Sequence, residues 1–255
     1  MSRRSRTPRP QRRPRPARRA GLVIAPAALL VLVVVAALLT GADPLAWLRA
    51  AVGAGPPPGA PQDTGAPPAG DPVSPDEAAE ARAALRGIET APPAPGDDYE
   101  RDAFGSDWID TDDNGCPTRH DILARDLEDT EVESDCTVVS GVLEDPYTGD
   151  RVTFSADDPM EVQIDHVVPL ALAWRTGAED WDRDRRVEFA NDPDNLLASD
   201  GSANQAKGDS GPGEWRPYPG FRCAYAVAYV GVVDEYGLTL PPADRSALAD
   251  MLDTC

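Results

Sequence analysis

Asp165 and His166 lie in the apolar run 162–170, and Asn195, Asn204 and the chain's only lysine, Lys207, follow downstream. Hydrolysis of a phosphodiester around one metal ion requires these residue types. It takes a base for water, an acid for the metal, a polar side chain to complete the metal shell and a cation for phosphate. Scarcity sharpens the pattern. Lys and Arg total 24, of which one is Lys, and there are two His. Lys207 is therefore the one compact ammonium in a chain that otherwise uses guanidinium, and His166 is one of two groups that ordinarily titrate near neutrality.

The elements that must position these residues can be read from periodicity. Strand alternation sends Asp165 and His166 to opposite faces, so they can share a site only where a strand ends and twists into a loop. A strand over 162–168, ended by Pro169, provides that end. A short strand over 195–198 and a short helix over 202–207, begun by a Ser cap, must then return Asn195 and Asn204 to the same edge. Upstream, the pattern predicts a helix over 118–127 and a strand over 137–143. The turn Asp145-Pro146-Tyr147-Thr148-Gly149 leads into a strand over 151–154, a hairpin signal. Helices are expected over 170–176, 183–190, 223–236 and 242–252, and no internal repeat is present.

The first twenty residues carry nine Arg and no acid, and 22–39 hold no polar side chain. A span needs roughly 17 to 25 apolar residues, and the Arg block would remain cytoplasmic, so 21–40 reads as a transmembrane signal anchor. A signal peptide cleaved near Thr40-Gly41-Ala42 is the alternative. Either way the remainder is exported, to the cell surface or to the medium. Residues 41–98, rich in Pro, Gly and Ala, read as a linker with a weak helix over 75–88, and 99–255 as one globular domain. Removing the nine Arg from the overall −20 leaves about −29 on the rest. Such acidity argues against extensive wrapping of a duplex and against affinity for anionic lipid. A small local site survives it, since charges more than about 8 Å apart are largely screened.

Cys116, Cys136, Cys223 and Cys255 all lie on the exported side, where disulfides are the default. Three pairings are possible, and proximity favours Cys116 with Cys136 and Cys223 with Cys255. Asp110, Asp112 and Asn114 before Gly115, with Asp121 in the twelfth position, match the opening of a calcium loop, so a separate Ca²⁺ site competes with an acidic turn. His120 reads as a surface or packing residue. Arg119 and Arg125 could reach phosphate or pair with acids, and Trp108, Trp174, Trp181 and Trp215 read as packing, with base stacking an alternative for Trp215.

The stretch IDHVVPL followed by NDPDNLLASDGSANQAKGD resembles the HNH endonucleases, the ββα-metal or His-Me finger nucleases, and is most similar to their GmrSD-type branch. GCPTRHDILARDL and DPYTGDRVTF extend the resemblance over 99–255. It implies an α+β fold: a ββα-metal core with additional helices and a β-hairpin in a single disulfide-stapled domain. It implies that His166 is the general base, that Asp165 and Asn204 hold the metal, that Asn195 braces the loop carrying His166, and that Lys207 faces a phosphate oxygen. Hard oxygen ligands suit Mg²⁺, with Mn²⁺ able to replace it. The substrate implied is DNA, contacted locally, and no protein partner is implied. The chain departs from the commoner HNH pattern in carrying Asn204 where many members have His, which puts tight transition-metal binding in doubt. A reading of a different class also stands: a non-catalytic extracellular binding module that retains the scaffold. For Asn195 and Asn204 the competing reading is turn chemistry, and for Lys207 a helix-end cation.

Overall fold

A computed structural model describes residues 72–105 and 108–255. Along the chain run α1 (Pro75–Gly87), α2 (Thr118–Asp126), β1 (Leu127–Val132), β2 (Val138–Glu144), β3 (Arg151–Ser155) and β4 (Val162–His166). They are followed by α3 (Leu170–Arg175), α4 (Arg183–Asn191), β5 (Leu196–Asp200), α5 (Gly201–Lys207), α6 (Arg222–Tyr236) and α7 (Pro242–Leu252). The fold is α+β. The strands form an antiparallel sheet in the order β1-β2-β3 and a separate antiparallel pair, β4-β5, with α5 directly after it.

Two hydrophobic clusters flank the β4-β5 pair. Val162, Ile164, Leu196 and Ala198 pack with Ile122 and Leu123 of α2 and Leu143 and Phe154 of the three-stranded sheet. Val167 and Leu197 belong to a larger cluster built from the helices, with Phe189, Tyr225, Tyr229 and Leu248 among its members. Strand alternation is the cause, since successive side chains go to opposite cores. A strand pair packed on both sides is a rigid support for whatever its end carries.

Residues 75–88 are expected from sequence to form a weak helix within a linker. In the structure α1 belongs to the domain, packed against α6 and α7. Ser74 and Glu77 form a capping box, with Pro75 in the first turn. Ala78, Ala81 and Leu85 make a buried stripe at helical spacing. Arg245 of α7 donates to the carbonyls of Leu85 and Ile88 at its C-terminal end. Replacing Leu85 with Ala should therefore cost about 2 to 4 kcal/mol in urea denaturation, as for a core leucine. A helix outside the domain would give a change within about 0.5 kcal/mol.

Several boundaries differ from expectation for local reasons. Strand β1 was not expected, because its sequence LEDTEV is acidic; its exposed pattern shows an edge strand with charges turned outward. β4 ends at His166 rather than residue 168, and β5 begins at Leu196, since Asn195 closes a 3-10 turn, Pro193–Asn195. The cap of α5 is Asp200, which accepts from the Ala203 amide, not Ser202. Gly201 must be glycine: a Cβ there would lie 2.0 Å from the Met160 carbonyl oxygen.

Both favoured cysteine pairings are present, Cys116–Cys136 and Cys223–Cys255. The basic segment 1–20, the apolar run 21–40 and most of the linker lie outside the described residues. Among the described residues no helix is long and apolar enough to cross a membrane.

Candidate active site

His166 closes β4 opposite Leu196, and its side chain is 6% exposed. Its Nε2 lies 2.9 Å from the Ala190 carbonyl oxygen at the end of α4. A carbonyl only accepts, so Nε2 carries the hydrogen and Nδ1 keeps the lone pair. Trp108 stacks over the imidazole, ring centroids 6.0 Å apart and planes 14° from parallel. Burial pushes the His166 pKa down to about 4. A ring that stays neutral with Nδ1 unprotonated is in the state a general base needs.

Asp165 points to the other side of the strand. Its Oδ2 accepts from the Tyr147 hydroxyl at 2.5 Å and from Lys207 Nζ at 2.8 Å. Lys207 also donates to the His166 carbonyl at 2.8 Å and is 1% exposed. This corrects the expectation that Lys207 faces a phosphate: the ammonium is an internal partner of Asp165. The physical reason is that α5 follows β5 without a connecting loop and lays its last turn beside β4. Burial lowers the Lys207 pKa, while Asp165 acts to raise it. Both partners fall on Oδ2, so Oδ1 is the carboxylate oxygen left at the cavity wall.

Asn195 is fully buried, and its Oδ1 accepts from the Val168 amide at 2.8 Å. Its backbone carbonyl accepts from Val167 at 2.8 Å. It thus grips the two residues after His166. Arg125 in turn holds this segment, donating to the carbonyls of Pro193 at 2.9 Å and Leu196 at 2.7 Å while paired with Asp126. Arg125 is committed internally, in agreement with its pairing to acids. His120 is also structural, with Nδ1 accepting from the Val138 amide at 3.1 Å.

Asp165, His166 and Asn204 come together on a cavity of about 420 Å³, also lined by Arg101, Gln163 and Asp209. Asn204 Nδ2 donates to Gln163 Oε1 at 3.0 Å, which leaves its Oδ1 as the acceptor. One carboxylate oxygen and one amide oxygen on the wall of a roomy polar cavity fit Mg²⁺, which keeps several waters and binds few protein groups. Among the described residues no group of three or more His, Cys, Asp or Glu is placed to hold a metal. A cation here would depend on substrate oxygens for the rest of its shell.

Sequence reasoning did not place Tyr147, Arg101 or Gln163 in the site. Tyr147 is set by the β2–β3 turn, where Asp145 accepts from Thr148 and, across the fold, from the Asp200 amide at 2.9 Å. A tyrosine inside a tight turn was the available signal. Trp215 packs edge-on against Tyr147 at 4.5 Å, as a packing residue.

In the acidic loop, Asp110, Asp112 and Asp121 are engaged with one another's neighbours. Asp110 accepts from the Asn114 and Gly115 amides, and the Asn114 side chain donates to Asp112 and Asp121. Burial raises the Asp121 pKa to about 6.

The site thus sets a buried imidazole with Nδ1 as an acceptor beside a carboxylate and an amide oxygen on one polar cavity. Residues 117–250 match the family described as GmrSD restriction endonucleases, C-terminal domain, and the chain belongs to it. A protein of Arthroderma benhamiae described as an uncharacterized secreted protein is 40% identical over 181 residues, covering 70% of this chain and 86% of the relative. No solved structure matches the chain.

Proposed function

We propose that this protein is an exported, metal-dependent HNH-type endonuclease that hydrolyses DNA phosphodiester bonds, with β4, β5 and α5 as a ββα-metal unit. The observation that carries the reading is the pairing of His166 Nδ1, held as an acceptor by the Ala190 carbonyl, with the Asp165 and Asn204 oxygens on one cavity. DNA as substrate rests on the restriction endonuclease family, and export on the secreted relative and two disulfides.

His166 Nδ1 takes a proton from the attacking water. Its Nε2–H stays on the Ala190 carbonyl, which fixes the ring plane and stabilises the imidazolium as it forms. Asn195 holds 167–168 and thereby the end of β4. Lys207 and Tyr147 fix the carboxylate of Asp165 by one oxygen, and Gln163 fixes the amide of Asn204. Mg²⁺, or Mn²⁺ in its place, held by Asp165 and Asn204, would supply neutralisation of the charge that develops on the phosphate and the leaving oxygen.

A non-catalytic binding module has one observation in its favour, the neutralisation of Asp165 by Lys207. Cleavage separates the two. The disulfide-intact chain is incubated with plasmid and with single-stranded DNA in Mg²⁺, Mn²⁺ or EDTA, beside His166→Ala. Metal-dependent cleavage that the substitution abolishes is expected. No cleavage by the parent chain would leave the binding module standing, and equal cleavage by both would sink the role given to His166.

A further inference from the structure

We propose that Arg101 is the residue that takes the substrate phosphate in this site, and that the substrate strand crosses His166 from one cavity into a second. The inference rests on the nuclease reading and adds its phosphate contact. With Lys207 buried against Asp165, the site lacks the cation expected from sequence. The other basic residues nearby are spent. Arg125 is held by Asp126 and two carbonyls, Arg175 pairs with Asp209 at 2.9 Å, and Arg119 donates to the Val162 carbonyl.

Arg101 is different on each count. It is exposed, and it is the one basic residue on the wall of the 420 Å³ cavity. It is also the one basic residue on a second cavity of about 60 Å³, whose other walls include Phe104, Trp108, Leu170 and Asn191. His166 and Leu170 line both cavities as well, so the two meet at the imidazole, with Arg101 beside it. Among the described residues no carboxylate is paired with it.

Its support is rigid, and its guanidinium interacts with the Tyr99 hydroxyl rather than with a carboxylate. Arg101 opens a 3-10 turn, Arg101–Phe104, whose last residue is buried among Tyr99, Trp174 and Phe189. Arg186 donates to the Ala103 carbonyl at 3.2 Å, and Gly105, at φ 89°, takes the chain away from the turn. A guanidinium on such a base presents a fixed planar fork, suited to two oxygens of one phosphate. In a chain this acidic, one cation beside the base that no carboxylate neutralises is what lets a polyanion approach. The aromatic rings of Tyr99 and Trp108, one on each cavity, provide faces for the flanking nucleotides.

The test measures binding apart from cleavage. A fluorescein-labelled single-stranded oligonucleotide is titrated in EDTA against His166→Ala, with and without Arg101→Ala or Arg101→Lys, at several salt concentrations. Loss of Arg101 should weaken binding about tenfold and lower the slope of log affinity against log salt by about 1, with Lys recovering part. In the otherwise unaltered chain, Arg101→Ala should raise KM by a similar factor. Unchanged affinity and slope, or no measurable binding by the Arg101-containing chain, overturns the proposal. The nuclease reading fails on another result, binding that depends on Arg101 in a chain that cleaves nothing. Because Arg101 is exposed, unchanged thermal unfolding is the expected control.

Discussion

His166→Ala should lower turnover by about two to four orders of magnitude, the range for loss of a positioned general base. Stability should change far less than activity. The pH profile carries further information. An imidazole with an ordinary pKa near 6.5 would be mostly protonated at pH 5.5, and a rate that needs it neutral would fall roughly tenfold there. Burial holds the His166 pKa at about 4, so kcat/KM should stay level down to about pH 5 and fall only below. The same shift affects folding. The unfolded chain takes up a proton at His166 as pH falls below about 6.5, while the folded chain does so only near 4. Stability is therefore fully present above the unfolded pKa and is lost between about pH 6.5 and 4, by roughly 3 kcal/mol from this residue. Urea midpoints across that window check the sign; a midpoint that rises on acidification would contradict it.

Lys207→Met should destabilise the fold by about 3 to 5 kcal/mol, the cost of leaving one member of a buried pair without its partner. The Asp165 carboxylate would keep the Tyr147 hydroxyl but lose the ammonium, whose own position is buried. Asp165→Asn should restore much of the loss in the Lys207→Met background, since a neutral amide no longer needs a counter-charge. Urea denaturation of the two single variants and the double variant gives the coupling directly. A phosphate-facing lysine on the surface would give a change within about 0.5 kcal/mol and no coupling to Asp165. Activity should not follow the same order: Asp165→Asn removes the carboxylate proposed to hold the metal, so the double variant should regain stability without regaining cleavage.

Much of the strand and helix order was legible because the core imposes it on the residues. Val162 and Ile164 face one core and Val167 the other, and the helices ending in Tyr236 and Leu252 carry apolar faces. Asp165, His166, Asn195 and Asn204 were picked out by residue type and order, and the structure brings Asp165, His166 and Asn204 to one cavity. What stayed hidden was partnership. Periodicity says that Lys207 lies at a helix end but not that Asp165 is beneath it, and nothing local in Tyr147 points to a carboxylate on another strand. Arg101 was passed over because exposed arginine is ordinary in a chain so rich in it. The acidic β1 and the Ala-rich α1 were misjudged through composition. The first is an edge strand whose pairing with β2 outweighs its weak β propensity, and the second gains its stability from the helices it covers.

The two disulfides enclose residues 116–136 and 223–255, and Tyr147, Asp165, His166, Asn195, Asn204 and Lys207 all fall outside both loops. The covalent links therefore leave the chemistry alone and restrain the margins of the domain. By closing these loops each removes about 3 to 4 kcal/mol of freedom from the unfolded chain. Where no chaperone refolds a damaged molecule, the total work one copy performs is its turnover multiplied by its lifetime. In this protein the two factors are held by different parts of the chain. On the proposed reading, the disulfides bear on how long a copy lasts and the cluster around β4 on how fast it works.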